Sequence, residues 1–259
     1  MTKLEEILAY KRQEVAQAKR ARPVAQLERA LKDRPPVRDF RGAITRAGKL
    51  SLIAEVKRAS PSAGPIRPDA DAVTIAQTYE QAGAQALSVL TDSNFFSGSL
   101  EDLRSVRGKV GLPVLRKDFL IEEYQVVETA AAGADALLLI VAALEIPVLK
   151  RLLGLARDLR CEALVEVHTE RELGQGLEAG AQVIGINNRN LGTFQVDLET
   201  TRLLARMIPP GRTIVSESGI RSRQDLEFVR AQGVQAVLIG EELMSAPDIA
   251  QRIRELMGW

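Results

Sequence analysis

Residues 52–64, LIAEVKRASPSAG, put two ionisable side chains where an apolar strand runs out. In an extended chain Glu55 and Lys57 share one face, with Val56 turned the other way. A carboxylate and an ammonium at the end of a buried strand are costly to hold unless paired or used. Such a pair can hold a polar substrate or move protons, or it can be no more than an ion pair at a sheet edge. The same arrangement recurs in VLRKDF (114–119), LVEVH (164–168), IGINNRN (184–190), IVSESGI (214–220) and VLIGEE (237–242). Recurrence at so many strand ends favours chemistry over a structural accident.

The elements that must position these groups can be read from the apolar pattern. Candidate strands are 50–56, 86–90, 112–116, 136–141, 162–167, 183–187, 213–216 and 236–239. Helical patterns lie between and after them, at 70–82, 99–107, 122–132, 145–159, 170–179, 198–207, 222–232 and 247–257. Eight strands rich in Val, Ile, Leu and Ala, each followed by a helix, predict an α/β fold, a closed (β/α)8 barrel. An open doubly wound sheet is the alternative. An internal repeat favours closure: QAGAQALSVL, AAGADALLLI, EAGAQVIGIN and AQGVQAVLIG carry Gly83, Gly133, Gly180 and Gly233, spaced 50, 47 and 53 residues apart. Each glycine follows a helix, where a left-handed cap needs it.

Residues 1–48 precede the first strand as a helical extension, too small to be a domain of its own. One helix is expected over 3–20, with Leu4, Ile7, Leu8, Val15 and Ala18 on its apolar stripe, and a second over 25–32, stopped by Arg34-Pro35-Pro36. The extension could close the barrel bottom or lie over the mouth. The expected organisation is a single domain over 1–259.

Composition narrows the function. Lys and Arg number 35 and Asp and Glu 34, a formal charge of +1, which speaks against a nucleic-acid surface. With one cysteine, Cys161, and one histidine, His168, there is no disulfide framework and no multi-histidine or thiolate metal site. The apolar run 136–144 is too short to span a bilayer, and the N-terminus lacks a signal-peptide core. A cytoplasmic protein without membrane partners is expected. The oligomeric state is left open, and a monomer is compatible with everything read.

In a barrel of this kind the strand C-termini share one mouth. The set is Glu55 and Lys57, Ser88, Lys117, Leu138, Glu166, Asn187 and Arg189, Glu217 and Ser218, and Gly240. Strand parity prefers Lys117 inward beside Leu115, leaving Arg116 and Asp118 as outer ion-pair members. Glu166, between Val165 and Val167, would sit low in the mouth, where burial raises a carboxyl pKa toward the range useful for acid–base work. Gly219 and Gly240 allow backbone to approach an anion after the last two strands, with Ser218 as a hydroxyl donor. Glu241 beside them suits an anion only through its backbone N–H. Lys57 or the Ser60 loop would supply the balancing donors. Phe95-Phe96, Phe119, Leu191 and Ile220 follow strand ends and could clasp a flat apolar group, or simply pack under loops and the N-terminal helix. His168 reads as the start of a helix rather than a base, Cys161 as an inert bottom residue and Trp259 as terminal packing.

Together, EVKRASPSAG, LRKDF, LVEVH, INNRNL, SESGI and LIGEELM resemble the indole-3-glycerol phosphate synthase family of tryptophan biosynthesis, over essentially the whole chain. The extension shares Ile7-Leu8 and Glu14-Val15, its lysine displaced. The resemblance implies ring closure, decarboxylation and dehydration of 1-(2-carboxyphenylamino)-1-deoxyribulose 5-phosphate, with no organic cofactor and no metal. It implies Lys117 as general acid and Glu166 as its acid–base partner. Glu55, Lys57, Asn187 and Glu217 would organise substrate charges and hydroxyls, supported by Arg189. Ser60, Ser218, Gly219 and Gly240 would meet substrate or phosphate, and Phe96, Phe119, Leu138, Leu191 and Ile220 the anthranilate ring. Many relatives carry serine where Glu241 stands, which removes one hydroxyl contact and keeps the backbone donor. A Schiff-base aldolase, the isomerase of the same pathway and a non-enzymatic phosphate-binding barrel are the competing readings.

Overall fold

In the computed structural model, which describes residues 2–258, eight parallel strands close on themselves. They are β1 Ser51–Val56, β2 Ala86–Leu90, β3 Val114–Lys117, β4 Ala136–Ile140, β5 Glu162–Val167, β6 Val183–Asn187, β7 Thr213–Glu217 and β8 Ala236–Ile239, with β8 paired back to β1. The (β/α)8 barrel is therefore closed, and the open-sheet alternative falls. Trp259 lies outside the described residues.

Alternation along each strand divides two cores. Ile53, Leu115, Leu164, Val183, Val215 and Leu238 fill the barrel interior. Leu52, Val114, Val165, Ile184 and Val237 face the surrounding helices. Each such side chain, fully buried, contributes about 1.5–3 kcal/mol, so a one-residue slip of any strand would exchange the two sets at prohibitive cost.

The helices are α1 Lys3–Ala21, α2 Val24–Ala30, α3 Phe40–Ile44, α4 Ala72–Gln81, α5 Ser93–Phe96, α6 Leu100–Lys109, α7 Glu123–Ala131, α8 Ile146–Asp158, α9 Glu170–Glu178, α10 Glu199–Ala205, α11 Arg223–Ala231, α12 Glu241–Met244 and α13 Ile249–Met257. The repeat glycines Gly83, Gly133, Gly180 and Gly233 all have positive φ, between 83° and 93°, just past the ends of α4, α7, α9 and α11. The short α3, α5 and α12 carry too few turns for periodicity to reveal them.

The extension has contacts at both ends of the barrel. At the barrel bottom Phe40 and Ile44 of α3 join the interior core, and Arg41 donates to Thr213 Oγ1 at 3.2 Å, at the start of β7. α1 stays at the mouth end, where Lys11 meets Asp92 and Asp118 and Lys19 meets Glu122 at the start of α7, and α2 then packs along α7. There Val15 and Leu27 pack with Tyr124 and Val127 of α7, and the Tyr124 hydroxyl donates to the Arg22 carbonyl at 2.9 Å. Arg34 anchors the connection by donating to the carbonyls of Leu159 and Ala134 and to Cys161 Sγ. Cys161 is buried at this bottom end, and burial pushes its thiol pKa up, which keeps it inert.

Candidate active site

One cavity of about 380 Å³ opens at the C-terminal ends of the strands. Of the residues expected at the mouth, all but Ser88 and Phe95 line it: Glu55, Lys57 and Ser60; Phe96; Lys117 and Phe119; Leu138; Glu166; Asn187, Arg189 and Leu191; Glu217, Ser218, Gly219 and Ile220; Gly240 and Glu241. Lys3, Leu4 and Ile7 of α1 also line it.

At the centre, Lys117 Nζ donates to Glu217 Oε2 at 2.6 Å and to Glu166 Oε2 at 3.2 Å. Lys57 Nζ lies 3.1 Å from Glu55 Oε1, and Ser88 makes a long 3.4 Å contact to Glu55 Oε2. Asn187 Nδ2 donates to Glu166 Oε1 at 3.2 Å, its own amide oriented by Arg189 N donating to Oδ1 at 3.0 Å. Parity holds as expected: Arg116 turns outward to Asp118 and Glu128, each within 3.0 Å.

Burial by itself would lower the Lys117 pKa; the charges of Glu217, Glu166 and Glu55 reverse that and hold it above the usual lysine range. For Glu166 the sequence-based expectation of a raised pKa is wrong. Burial does push it up, but Lys117, His168 and Asn187 together hold it below the usual carboxylate range. Glu217 takes the opposite course: burial, together with Glu166 and Glu55, outweighs Lys117 and pushes it up to about 7. Partners explain the split. Glu166 has contacts from three donors, whereas Glu217 Oε1 is buried without a hydrogen bond and only Lys117 serves the other oxygen. Lys117 is thus a cation clamped by carboxylates, not the free amine that Schiff-base chemistry needs.

The apolar side of the cavity brings Phe96 and Phe119 together, ring centroids 6.1 Å apart and tilted by 41°. Phe95, by contrast, packs edge-on against Tyr10 of α1 at 5.7 Å, with Lys3 Nζ 4.9 Å from its ring centroid. Across the mouth Glu241 Oε2 accepts from Arg189 Nη2 at 3.2 Å, so its carboxylate faces a guanidinium and does not stand open to an anion. Gly240 and Gly219 prove tightly packed. A Cβ on Gly240 would fall 2.3 Å from Glu55 Oε1, and one on Gly219 2.7 Å from Val196 Cγ1.

The family model of indole-3-glycerol phosphate synthase matches residues 4–256. The chain belongs to this family. It is 48% identical over 265 residues to the indole-3-glycerol phosphate synthase of Roseiflexus sp. (strain RS-1), covering 99% of this chain and 98% of that one. With the Rhodopirellula baltica synthase it shares 46% over 257 residues, 99% of both chains. Among solved structures, a 3-hexulose-6-phosphate synthase from Salmonella typhimurium superposes with a TM-score of 0.65 at 12% identity, over 81% of this chain and 97% of that one; that likeness concerns the fold alone. As a family member the chain is a carbon–carbon lyase of tryptophan biosynthesis that acts on a sugar phosphate by ring closure, decarboxylation and dehydration.

Several residues that build this family site escaped the sequence reading. Gly185 makes room for Glu217, since a Cβ there would fall 2.1 Å from Glu217 Oε1; a glycine inside an apolar strand was the available signal. Buried Asn188 donates to the carbonyls of Glu217 at 2.9 Å and Ser218 at 3.0 Å, pinning a turn in which Ser218 has φ 63°. Lys11, buried on the same stripe as Ile7 and Val15, reaches Asp92 and Asp118 at 2.8 Å each. His168 is not the start of α9: Thr169 caps that helix, and the imidazole turns back toward Glu166.

Proposed function

We propose that the sugar phosphate is 1-(2-carboxyphenylamino)-1-deoxyribulose 5-phosphate and that Lys117 is the acid of its ring closure. The observation that carries this is Lys117 Nζ held between Glu217 and Glu166 at 2.6 and 3.2 Å, in the floor of the cavity. The anthranilate ring would rest among Phe96, Phe119, Leu138, Leu191 and Ile220, and the phosphate against Ser218, Gly219 and the backbone at Gly240 and Glu241, with Ser60 opposite. Lys57 and Arg189 offer cations to the substrate carboxylate.

Ring closure joins an electron-rich aromatic carbon to the ribulose carbonyl carbon, so negative charge grows on the carbonyl oxygen. A fixed ammonium stabilises that charge most in a site closed to water, and Lys117 passes its proton as the oxygen becomes a hydroxyl. Glu217, whose raised pKa keeps part of it protonated near neutrality, lies 2.6 Å away and can restore that proton. Carbon dioxide then leaves its bonding electrons in the ring. Dehydration needs a proton delivered to the departing hydroxyl and another removed, and Glu166, held ionised, is the acceptor. Glu55 fixes Lys57, and Asn187 fixes Glu166. The reading treats residues 1–259 as one domain with 1–48 as its cover, and the mixed-charge N-terminal helix and lone buried cysteine support a cytoplasmic setting.

The test is direct: purified protein mixed with this substrate should generate indole fluorescence at a rate unchanged by EDTA. Saturating substrate with no indole signal, or activity abolished by chelation, would overturn the reading.

A further inference from the structure

His168 stands behind Glu166, outside the cavity lining, at the junction of β5 and α9. Its Nδ1 lies 3.0 Å from Glu172 Oε2, an oxygen that also accepts from the His168 backbone N–H at 2.8 Å. Its Nε2 lies 3.3 Å from Glu166 Oε1, close but bent, and this buried nitrogen has no well-aligned hydrogen bond. Both ring nitrogens therefore face carboxylate oxygens, and a carboxylate can only accept.

We propose that His168, gripped by Glu172 of α9, is a positioning residue for Glu166: it directs a ring N–H at Oε1 and thereby orients the carboxylate that serves the reaction. This rests on the assignment of Glu166 as the proton acceptor. A carboxylate oxygen beside each ring nitrogen favours a proton on both, making the group an imidazolium. Burial opposes that charge, but hydrogen bonds and charges from Glu166 and Glu172 raise the pKa to about 10, so the ring stays cationic at working pH. The charged groups around it are Glu172 on α9 and Glu166 on β5, with Lys117 of β3 beyond Glu166. Glu166 Oε2 belongs to Lys117, while Oε1 is shared by Asn187 and His168. Losing His168 leaves Oε1 to a neutral amide.

A purely structural role is the alternative, because Glu172 also sits at the third position of α9, whose backbone N–H is capped by Thr169 Oγ1 at 3.2 Å. Kinetics separate the two. His168→Ala should lower kcat by roughly 10- to 100-fold, the scale of a misaligned catalytic group, with KM within about twofold. Because a lost cation raises the Glu166 pKa and Glu166 must be ionised, the acid limb of the kcat profile should move to higher pH. His168→Gln, which keeps a donor without the charge, should recover part of the rate. Glu172→Gln should shift the same limb in the same direction by less. In a Glu166→Gln background, His168→Gln should cost nothing further.

Wild-type kcat and pH profile in both His168→Gln and Glu172→Gln would overturn the proposal, as would an equal loss from His168→Gln with and without Glu166. If the His168 variants do not fold, Glu172→Gln decides alone. If Glu166→Gln itself keeps wild-type kcat, the proton-acceptor assignment falls, and His168 with it; a slow Glu166→Gln enzyme with indifferent His168 and Glu172 variants removes His168 only.

Discussion

Lys117 and Glu217 come from β3 and β7, four strands apart in a ring of eight, and meet across the barrel axis at 2.6 Å. The contact needs a long side chain from each wall and room for Glu217 Oε1 on the neighbouring strand, which Gly185 supplies. A buried ammonium that lines the cavity is thereby held by protein groups.

Lys117→Ala removes an interaction made mainly in the transition state, so kcat should fall by about 10²-fold or more with little change in KM. Lys57→Ala should raise KM as well, because the role proposed for Lys57 includes holding an anion. Steady-state kinetics of both variants check the assignment; a Lys117→Ala enzyme with more than about a tenth of wild-type kcat and weakened binding would mean the two roles are exchanged.

Glu217 makes a pH prediction whose sign can be worked out. Its pKa rises from 4.5 to about 7 on folding, so between those values the folded protein binds the extra proton. Its contribution to stability is then fully present below about 4.5 and lost as pH climbs through 7. Urea unfolding at pH 5 and pH 8 should give wild type a downward slope that Glu217→Gln lacks. Equal slopes would show that Glu217 does not carry the proton.

Lys11 clasps α1 to the loops after β2 and β3 through Asp92 and Asp118, all three fully buried or nearly so. Burial alone would raise the Asp118 pKa, but Arg116 and Lys11 hold it below the usual carboxylate range, so this contribution is present above about pH 4 and lost in acid. Lys11→Met leaves buried Asp92 without its cation and Asp118 with Arg116 alone, and should cost about 3–5 kcal/mol in urea unfolding, as breaking one side of a buried pair does. A loss under about 1 kcal/mol would mean that the clasp is solvated in practice.

Gly240→Ala tests whether that glycine serves Glu55 as well as the anion. The new Cβ would overlap Glu55 Oε1, which Lys57 also holds, so Glu55 must turn away. Turnover should fall along with phosphate affinity, measured by inhibition with inorganic phosphate. Loss of phosphate affinity with kcat intact would confine Gly240 to anion binding.

Much of this molecule was legible because two periodicities are written along the chain. Alternation of two places Glu55, Lys117, Glu166 and Glu217 on the inner face of their strands, and the repeat at Gly83, Gly133, Gly180 and Gly233 marks where helices hand over to strands. Barrel order then brings those strand ends to one mouth, which is why all but Ser88 and Phe95 of the residues expected there line one cavity.

What periodicity cannot carry is distance across the barrel and the electrostatic outcome of it. Glu166 and Glu217 read alike as carboxylates at strand ends; only the folded site gives one three donors and leaves the other an unpaired oxygen, sending their pKa values in opposite directions. Lys11 drew no reading, because its partners lie 81 and 107 residues away; His168 stands only two residues after Glu166, but spacing does not say that its ring is gripped by Glu166 and Glu172 together. The sequence by itself determined which groups face the mouth, since side-chain direction is a local property of the strand. The tertiary structure alone decided which of them hold a proton, since that depends on burial and on charges brought close by closure of the barrel.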